Sequence, residues 1–219
     1  MSLTPRGWLS VVMAFAVGLA GMSVHGLTAG EAVGADVPAP QPHPVIPDAG
    51  AWMPEPGFTL LITGTDLSGW HYQGEPDLAT ATDATDGRYS AKDGMLVVNP
   101  EVAGKGPHLR QLWTLREFPT DFTLKLEFRA SVNADSGIFI RGMQLQCRDY
   151  LVAGPYKNLT AYKPQDWNEI VVVVTGATAH CTCNGEVLEA QLKVPANGPI
   201  GLEADRGQME YRRIRIAPR

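Results

Sequence analysis

Phe122-Thr-Leu-Lys-Leu-Glu-Phe-Arg129 alternates apolar and polar residues without a break. In an extended chain successive side chains point to opposite faces. Phe122, Leu124, Leu126 and Phe128 therefore line one face, and Thr123, Lys125, Glu127 and Arg129 the other. This is the pattern of an antiparallel strand with one face on a core and one toward water. Moving outward, the β-branched run Ile170 to Val174 reads as a strand buried on both faces. Asn184-Gly185, between two short extended segments, predicts a hairpin, because a type I′ turn needs positive φ at both central residues. Further strands are expected at 59–62, 95–98, 109–114, 137–141, 143–148, 200–204 and 208–216. In the last of these, Tyr211, Ile214 and Ile216 cannot share a face on strict alternation, which predicts a bulge at Arg212-Arg213. No amphipathic helix follows the first thirty-odd residues. About ten short strands separated by turns give an all-β fold, an antiparallel β-sandwich or barrel.

The chain of 219 residues is 44% hydrophobic and 19% charged, enough apolar material for one well-buried core. Its net charge of −5, with no basic cluster, excludes nucleic acid as a partner. Residues 1–35 read as a signal peptide or N-terminal anchor. Arg6 precedes an uncharged, mostly apolar run over 8–20, and small residues offer cleavage after Gly26, Gly30 or Ala35. The apolar run is short for a membrane span, so export to a periplasmic or secreted location is expected, with no membrane contact for the mature domain. Residues 36–57 form a Pro-rich linker carrying Pro38, Pro40, Pro42 and Pro44 at alternate positions, in which Trp52 and Met53 are able to dock on the domain. Cys147, Cys181 and Cys183 cannot all pair within one chain. Cys181 and Cys183 share one strand face, and all three are expected to be buried apolar residues. No Cys-x-x-Cys or His-rich spacing is present, so no metal or other cofactor is expected. The segment 150–166 lacks strand signals, and so long a loop suits the rim of a binding face, to which Tyr150, Tyr156 and Tyr162 would lend aromatic surface.

An ordered series of short motifs runs through this pattern. Asp66-Leu-Ser-Gly-Trp70, Asp93-Gly-Met-Leu96, Asp121-Phe-Thr-Leu124 and Asp135-Ser-Gly-Ile-Phe-Ile-Arg141 are followed by Trp167-Asn168, Asn184-Gly185, Gly198-Pro-Ile-Gly-Leu202 and Tyr211-Arg-Arg-Ile-Arg-Ile216. In order and spacing the series resembles, over residues 58–216, the 3-keto-disaccharide hydrolase domain, a concanavalin A-like jelly roll, which implies a jelly-roll domain over residues 58–219. The resemblance implies a carbohydrate partner and a reaction on 3-keto-glycosides. A ketone at C3 acidifies the C2 proton, a base removes it, and the C1 substituent leaves by β-elimination. Water then adds to the 3-keto-2-hydroxyglucal. Such a site needs a base, a donor for the enolate oxygen and a proton source. Trp70 and Trp167, both in family motifs at strand edges, are expected in the core.

The family's central strand usually reads Gly-Tyr-Glu-x-Gln-x-x-Asp, and here the stretch is Gly142-Met-Gln-Leu-Gln-Cys-Arg-Asp149. Gln146 and Asp149 thus fall on the family's Gln and Asp, Gln144 replaces its Glu, and Asp135 replaces the Asn that usually begins the central motif. An amide cannot act as a general base. Glu203 is the remaining candidate base, with a structural ion pair to Arg206 or Arg212 as its alternative. It falls just after Gly-Pro-Ile-Gly-Leu202, where the family often has Gln, and shares a strand face with Asp205. Alternation puts Gln144, Gln146 and Arg148 on one face, a row suited to sugar hydroxyls or simply to solvent. The candidate site is therefore catalytic Glu203, Asp149 and Arg141, the last as enolate stabiliser or carboxylate partner. Gln144, Gln146, Arg148, Tyr156 and Asp205 complete it as substrate-binding residues. His108 reads as a loop histidine, with proton shuttle or metal ligand as the sharper alternatives. The function expected is cleavage of 3-keto-glycosides by 1,2-elimination and hydration. A non-catalytic carbohydrate-binding module and a cell-surface interaction domain are the alternatives.

Overall fold

The computed structural model describes residues 52–106 and 109–219. The expected leader, most of the linker and His108 lie outside the described residues. Among the described residues thirteen strands form: β1 Thr59–Leu60, β2 Trp70–Tyr72, β3 Tyr89–Lys92, β4 Met95–Val98, β5 Arg110–Glu117, β6 Phe122–Ala130, β7 Asp135–Ile140, β8 Met143–Arg148, β9 Asn168–Thr175, β10 Thr178–Cys183, β11 Glu186–Lys193, β12 Pro199–Ala204 and β13 Met209–Pro218. They form two antiparallel sheets. One is eight-stranded in the order β11-β10-β9-β6-β13-β4-β3, with β1 on β13, and the other is five-stranded in the order β2-β5-β12-β7-β8. The chain passes repeatedly from one sheet to the other, which is the jelly-roll manner of building a sandwich.

The deciding stretch is β6, whose residues alternate buried and half-buried along its whole length, between β9 and β13. Leu124, Leu126 and Phe128 meet Leu112, Ile138, Leu145 and Leu202 of the other sheet in one core, which also holds Trp70, Tyr89 and Tyr211. The hairpin turn has φ of 48° at Asn184 and 87° at Gly185. The register of β13 shifts between Arg212 and Arg215, with Arg213 at φ 54°. The bulge lets β13 pair with β4 before it and with β1 after it. All three cysteines are free and buried.

Three expectations need correction. Val171 and Val173 are only half-buried, because they share the outer face of the eight-stranded sheet with Lys125 and Thr123. Trp167 is not core. It lies half-buried between the guanidinium groups of Arg212 and Arg129, 4.0 and 4.9 Å from its ring centre, an arrangement stabilised by the ring quadrupole. The tyrosine-rich loop does not rim an open face. Tyr150 and Tyr162 are buried against Phe128, while Thr160 and Ala161 bond Glu186 of the β10–β11 hairpin, so the loop seals that end of the core. Of the two docking candidates in the linker, Trp52 sits under Arg213 and Arg215, whereas Met53 is 77% exposed. Nearby, Glu55 grips Arg215 through both oxygens at 2.6 and 2.8 Å.

A buried polar cluster stabilises the five-stranded sheet's β2 edge. Asp86 accepts hydrogen bonds from Tyr72 Oη at 2.6 Å and Arg110 Nη1 at 2.8 Å, and pairs with Arg88. Burial works against ionisation of Asp86, but the Tyr72 hydroxyl, the Arg88 backbone N–H and the two guanidinium groups outweigh it and hold its pKa at about 2. A carboxylate with a depressed folded pKa adds stability above its unfolded value, and that stability is lost as pH falls. Asp86→Asn therefore lowers stability at pH 7 by about 3 kcal/mol, since it removes the carboxylate from a buried ion pair. In urea unfolding, the gap between variant and wild type narrows as pH falls from 3.8 toward about 2.

Candidate functional site

The site is built on the outward face of the five-stranded sheet, around its central strand. In β12, Ile200, Leu202 and Ala204 point into the core, so Gly201 and Glu203 face outward. Asp205 follows directly. On one side of β12, Gln111 and Trp113 of β5 stand opposite Glu203 and Gly201. On the other side, Phe139 of β7 stands opposite Gly201, and Gln144 of β8 opposite Phe139. Pairing register alone thus brings Glu203, two glutamines and two aromatic rings onto one patch.

The Glu203 carboxylate is held by amides. Gln111 Nε2 donates to its Oε1 at 2.9 Å and Gln144 Nε2 to its Oε2 at 2.7 Å. Gln144 reaches across β7 because position 137 is glycine: a Cβ there would collide with the Gln144 amide. From the core side the backbone beneath Glu203 is fixed by two hydroxyls. Ser136 Oγ donates to Glu203 O at 2.7 Å, and Tyr89 Oη donates to Leu202 O at 2.8 Å. Neither expected ion pair forms, since Arg206 turns to Asp135 and Arg212 to Glu127. Among the described residues Glu203 makes no ion pair. Burial raises its pKa, the negative charges of Asp205 and Asp135 add to the rise, and the two amide donors only partly oppose it. A carboxylate with raised proton affinity, on a sheet face and without a counter-ion, is the profile of a group that accepts a proton.

The remaining expected residues divide. Gln146 is in the neighbouring row, where its amide donates to Asp135 Oδ1 at 2.6 Å. Arg148 pairs with Asp135 at 2.9 Å, and its buried Nε has no hydrogen-bond partner among the described residues. Arg141 is elsewhere. It lies in the β7–β8 turn at φ 52° and donates to the carbonyls of Phe118, Thr120, Gly176 and Pro195, clamping loops at one end of the sandwich. With its donors so engaged, and about 13 Å along the sheet from Glu203 at strand rise, it does not face the candidate base. Asp149 binds Asn133 N at 3.0 Å, Gln165 Nε2 at 3.2 Å and Tyr162 Oη at 3.3 Å, anchoring the tyrosine-rich loop beyond β8. Tyr156 gives its hydroxyl to Glu189 at 2.6 Å and packs edge-on against Tyr150, on the side of the eight-stranded sheet.

Gln111, Trp113 and Phe139 were not anticipated. Alternation along β5 and β7 carried the signal, because Leu112 and Ile138 are core residues and their neighbours must face out. His71, opposite Trp113, has Nδ1 3.1 Å from Glu75 O, which orients the ring as a donor to that carbonyl. Among the described residues no group of three or more His, Cys, Asp or Glu side chains converges to hold a metal.

Residues 57–217 match the 3-keto-alpha-glucoside-1,2-lyase-like domain, and the chain belongs to that family, which makes its role carbohydrate-related. Among curated proteins none matches the chain. Of solved structures, a candidate glycosyl hydrolase from Parabacteroides distasonis ATCC 8503 is similar at 14% identity and TM-score 0.56, covering 74% of this chain and 94% of that one. A second from the same organism is similar at 18% identity and TM-score 0.50, covering 68% of this chain and 99% of that one. At these identities the likeness is one of fold.

Glu203→Gln tests the electrostatic description. A carboxylate whose folded pKa lies above its unfolded value of 4.5 loses stability as pH rises through that window, because the unfolded chain releases the proton first. The variant is therefore expected to gain melting temperature relative to wild type as pH increases above 4.5, with no gain at lower pH. A pH-independent difference in thermal melts would show that burial does not strain this charge.

Proposed function

We propose that this chain is an exported protein that cleaves 3-keto-glycosides by 1,2-elimination and hydration, with Glu203 as the base. The observation that carries the reading is the Glu203 carboxylate, buried without a cation and aimed by two amides on the outward sheet face. The family pattern has Glu where Gln144 stands and Gln where Glu203 stands. Here the two side chains touch at 2.7 Å, so one carboxylate and one amide occupy the same spot with their strands exchanged. The substitution at 144 therefore relocates the base rather than removing it.

Glu203 takes the C2 proton, whose acidity comes from the C3 ketone, and an enolate forms. Gln111 and Gln144 each have a second amide N–H to offer the enolate oxygen, since only one is spent on Glu203. The C1–O1 bond breaks as C1=C2 forms, and a water proton goes to the departing oxygen. The hydroxide adds to C1, and protonated Glu203 returns its proton to C2. The net change is hydrolysis. Export rests on Arg6, the apolar run over 8–20 and the small residues after it.

Incubation of the protein with a 3-keto-α-disaccharide is expected to give a transient near-ultraviolet enone band and free sugar. Glu203→Gln lowers kcat at least about a hundredfold, the usual worth of a positioned base. Full turnover in Glu203→Gln would remove this residue from the reaction. Absence of turnover in wild type, together with calorimetric binding of intact glycans, would instead make the domain a carbohydrate-binding module.

A further inference from the structure

One feature of the outward face is not used by the acid–base chemistry. Trp113 and Phe139 flank Gly201 from β5 and β7, with ring centres 4.9 Å apart and planes at 52°. The indole lies down over Gly201, where a Cβ would come within 2.5 Å of Trp113 Cε3. Both rings are half-buried, on the side of the sheet away from the core. The Trp113 indole N–H makes no hydrogen bond among the described residues. The apolar indole face, with an unused donor at its margin and a second ring tilted beside it, suits the C–H face and hydroxyl rim of a pyranose. The neighbouring amides, Gln111 and Gln144, donate to Glu203.

We infer that Trp113 and Phe139 form a stacking subsite for the second sugar of the substrate, the one that leaves with O1. The inference rests on the elimination reading for the identity of the neighbouring subsite. Gly201 and Glu203 are two residues apart on one strand, about 7 Å, which leaves room for two adjoining sugar rings on this face. When the keto ring sits with C2 at Glu203, its C1 substituent lies over the indole. The site is thereby matched to disaccharides, and glycosides of small alcohols fill only half of it.

Calorimetry in the Glu203→Gln background, where chemistry is blocked, separates the two subsites. A 3-keto-α-disaccharide is expected to bind about tenfold more tightly than methyl 3-keto-α-glucoside. Trp113→Ala erases that advantage with little change for the methyl glycoside, and Trp113→Phe retains most of it. Equal affinity for the two ligands, no measurable affinity for either, or an equal loss for both in Trp113→Ala would overturn the subsite. Turnover by the wild-type protein is scored separately. If it fails while the calorimetric pattern holds, the elimination reading falls and the stacking subsite stands.

Discussion

The placement of β12 between β5 and β7 is the constraint on which the face depends. One strand supplies Leu202 and its neighbours to the core and, at the intervening positions, Gly201 and Glu203 to the outside. Because side chains alternate, a slip of one residue would bury the carboxylate and expose the leucine, so the packing energy of the core itself enforces the register of the site. The two hydroxyls that bond the carbonyls of Leu202 and Glu203, from Tyr89 and Ser136, add a polar specification of the same register from beneath. Tyr89 belongs to the opposite sheet, and Ser136 is bonded in turn to Tyr211 of that sheet at 2.8 Å. The backbone that carries Glu203 is therefore tied across the whole thickness of the sandwich.

The two outward faces handle charge in opposite ways. On the eight-stranded sheet, Arg129 meets Glu210, Arg212 and Arg213 meet Glu127, and Arg215 meets Glu55 and Glu169, while Trp52 and Trp167 lie against the guanidinium groups. Positive and negative side chains neutralise one another there. On the five-stranded sheet, Glu203 has amides instead of cations, and Asp205 and Asp135 stand near it. Amides fix its geometry without lowering its proton affinity as an arginine would. A cationic partner would have stabilised the charged form and lowered its proton affinity.

Much of this was legible in the residues. The alternation over 122–129 gave the sandwich, Asn184-Gly185 gave a hairpin, and the mismatch of Tyr211 with Ile214 gave the bulge. Strands as short as β2 and β3 escaped notice because three or four residues carry too little periodicity to stand out from turns. The aromatic platform was missed for another reason: Trp113 and Phe139 come from segments 26 residues apart in sequence, and only their shared pairing with Gly201 makes them neighbours. Arg141 misled because its partners are backbone carbonyls of four distant residues, which no side-chain pattern announces. The loop tyrosines misled because length and polarity suggest exposure, whereas Tyr150 closes a core that the strands leave open at one end.

The exchange of acid and amide between strands β8 and β12 is the central claim, and swapping them back tests it most directly. Turnover of a 3-keto-α-disaccharide is compared between Glu203→Gln alone and the double variant Gln144→Glu with Glu203→Gln, both verified as folded by thermal melting. The account predicts that the double variant recovers at least about tenfold of the activity that the single one loses, since a carboxylate is restored within the same hydrogen-bonded pair. A double variant no more active than the single one would contradict it.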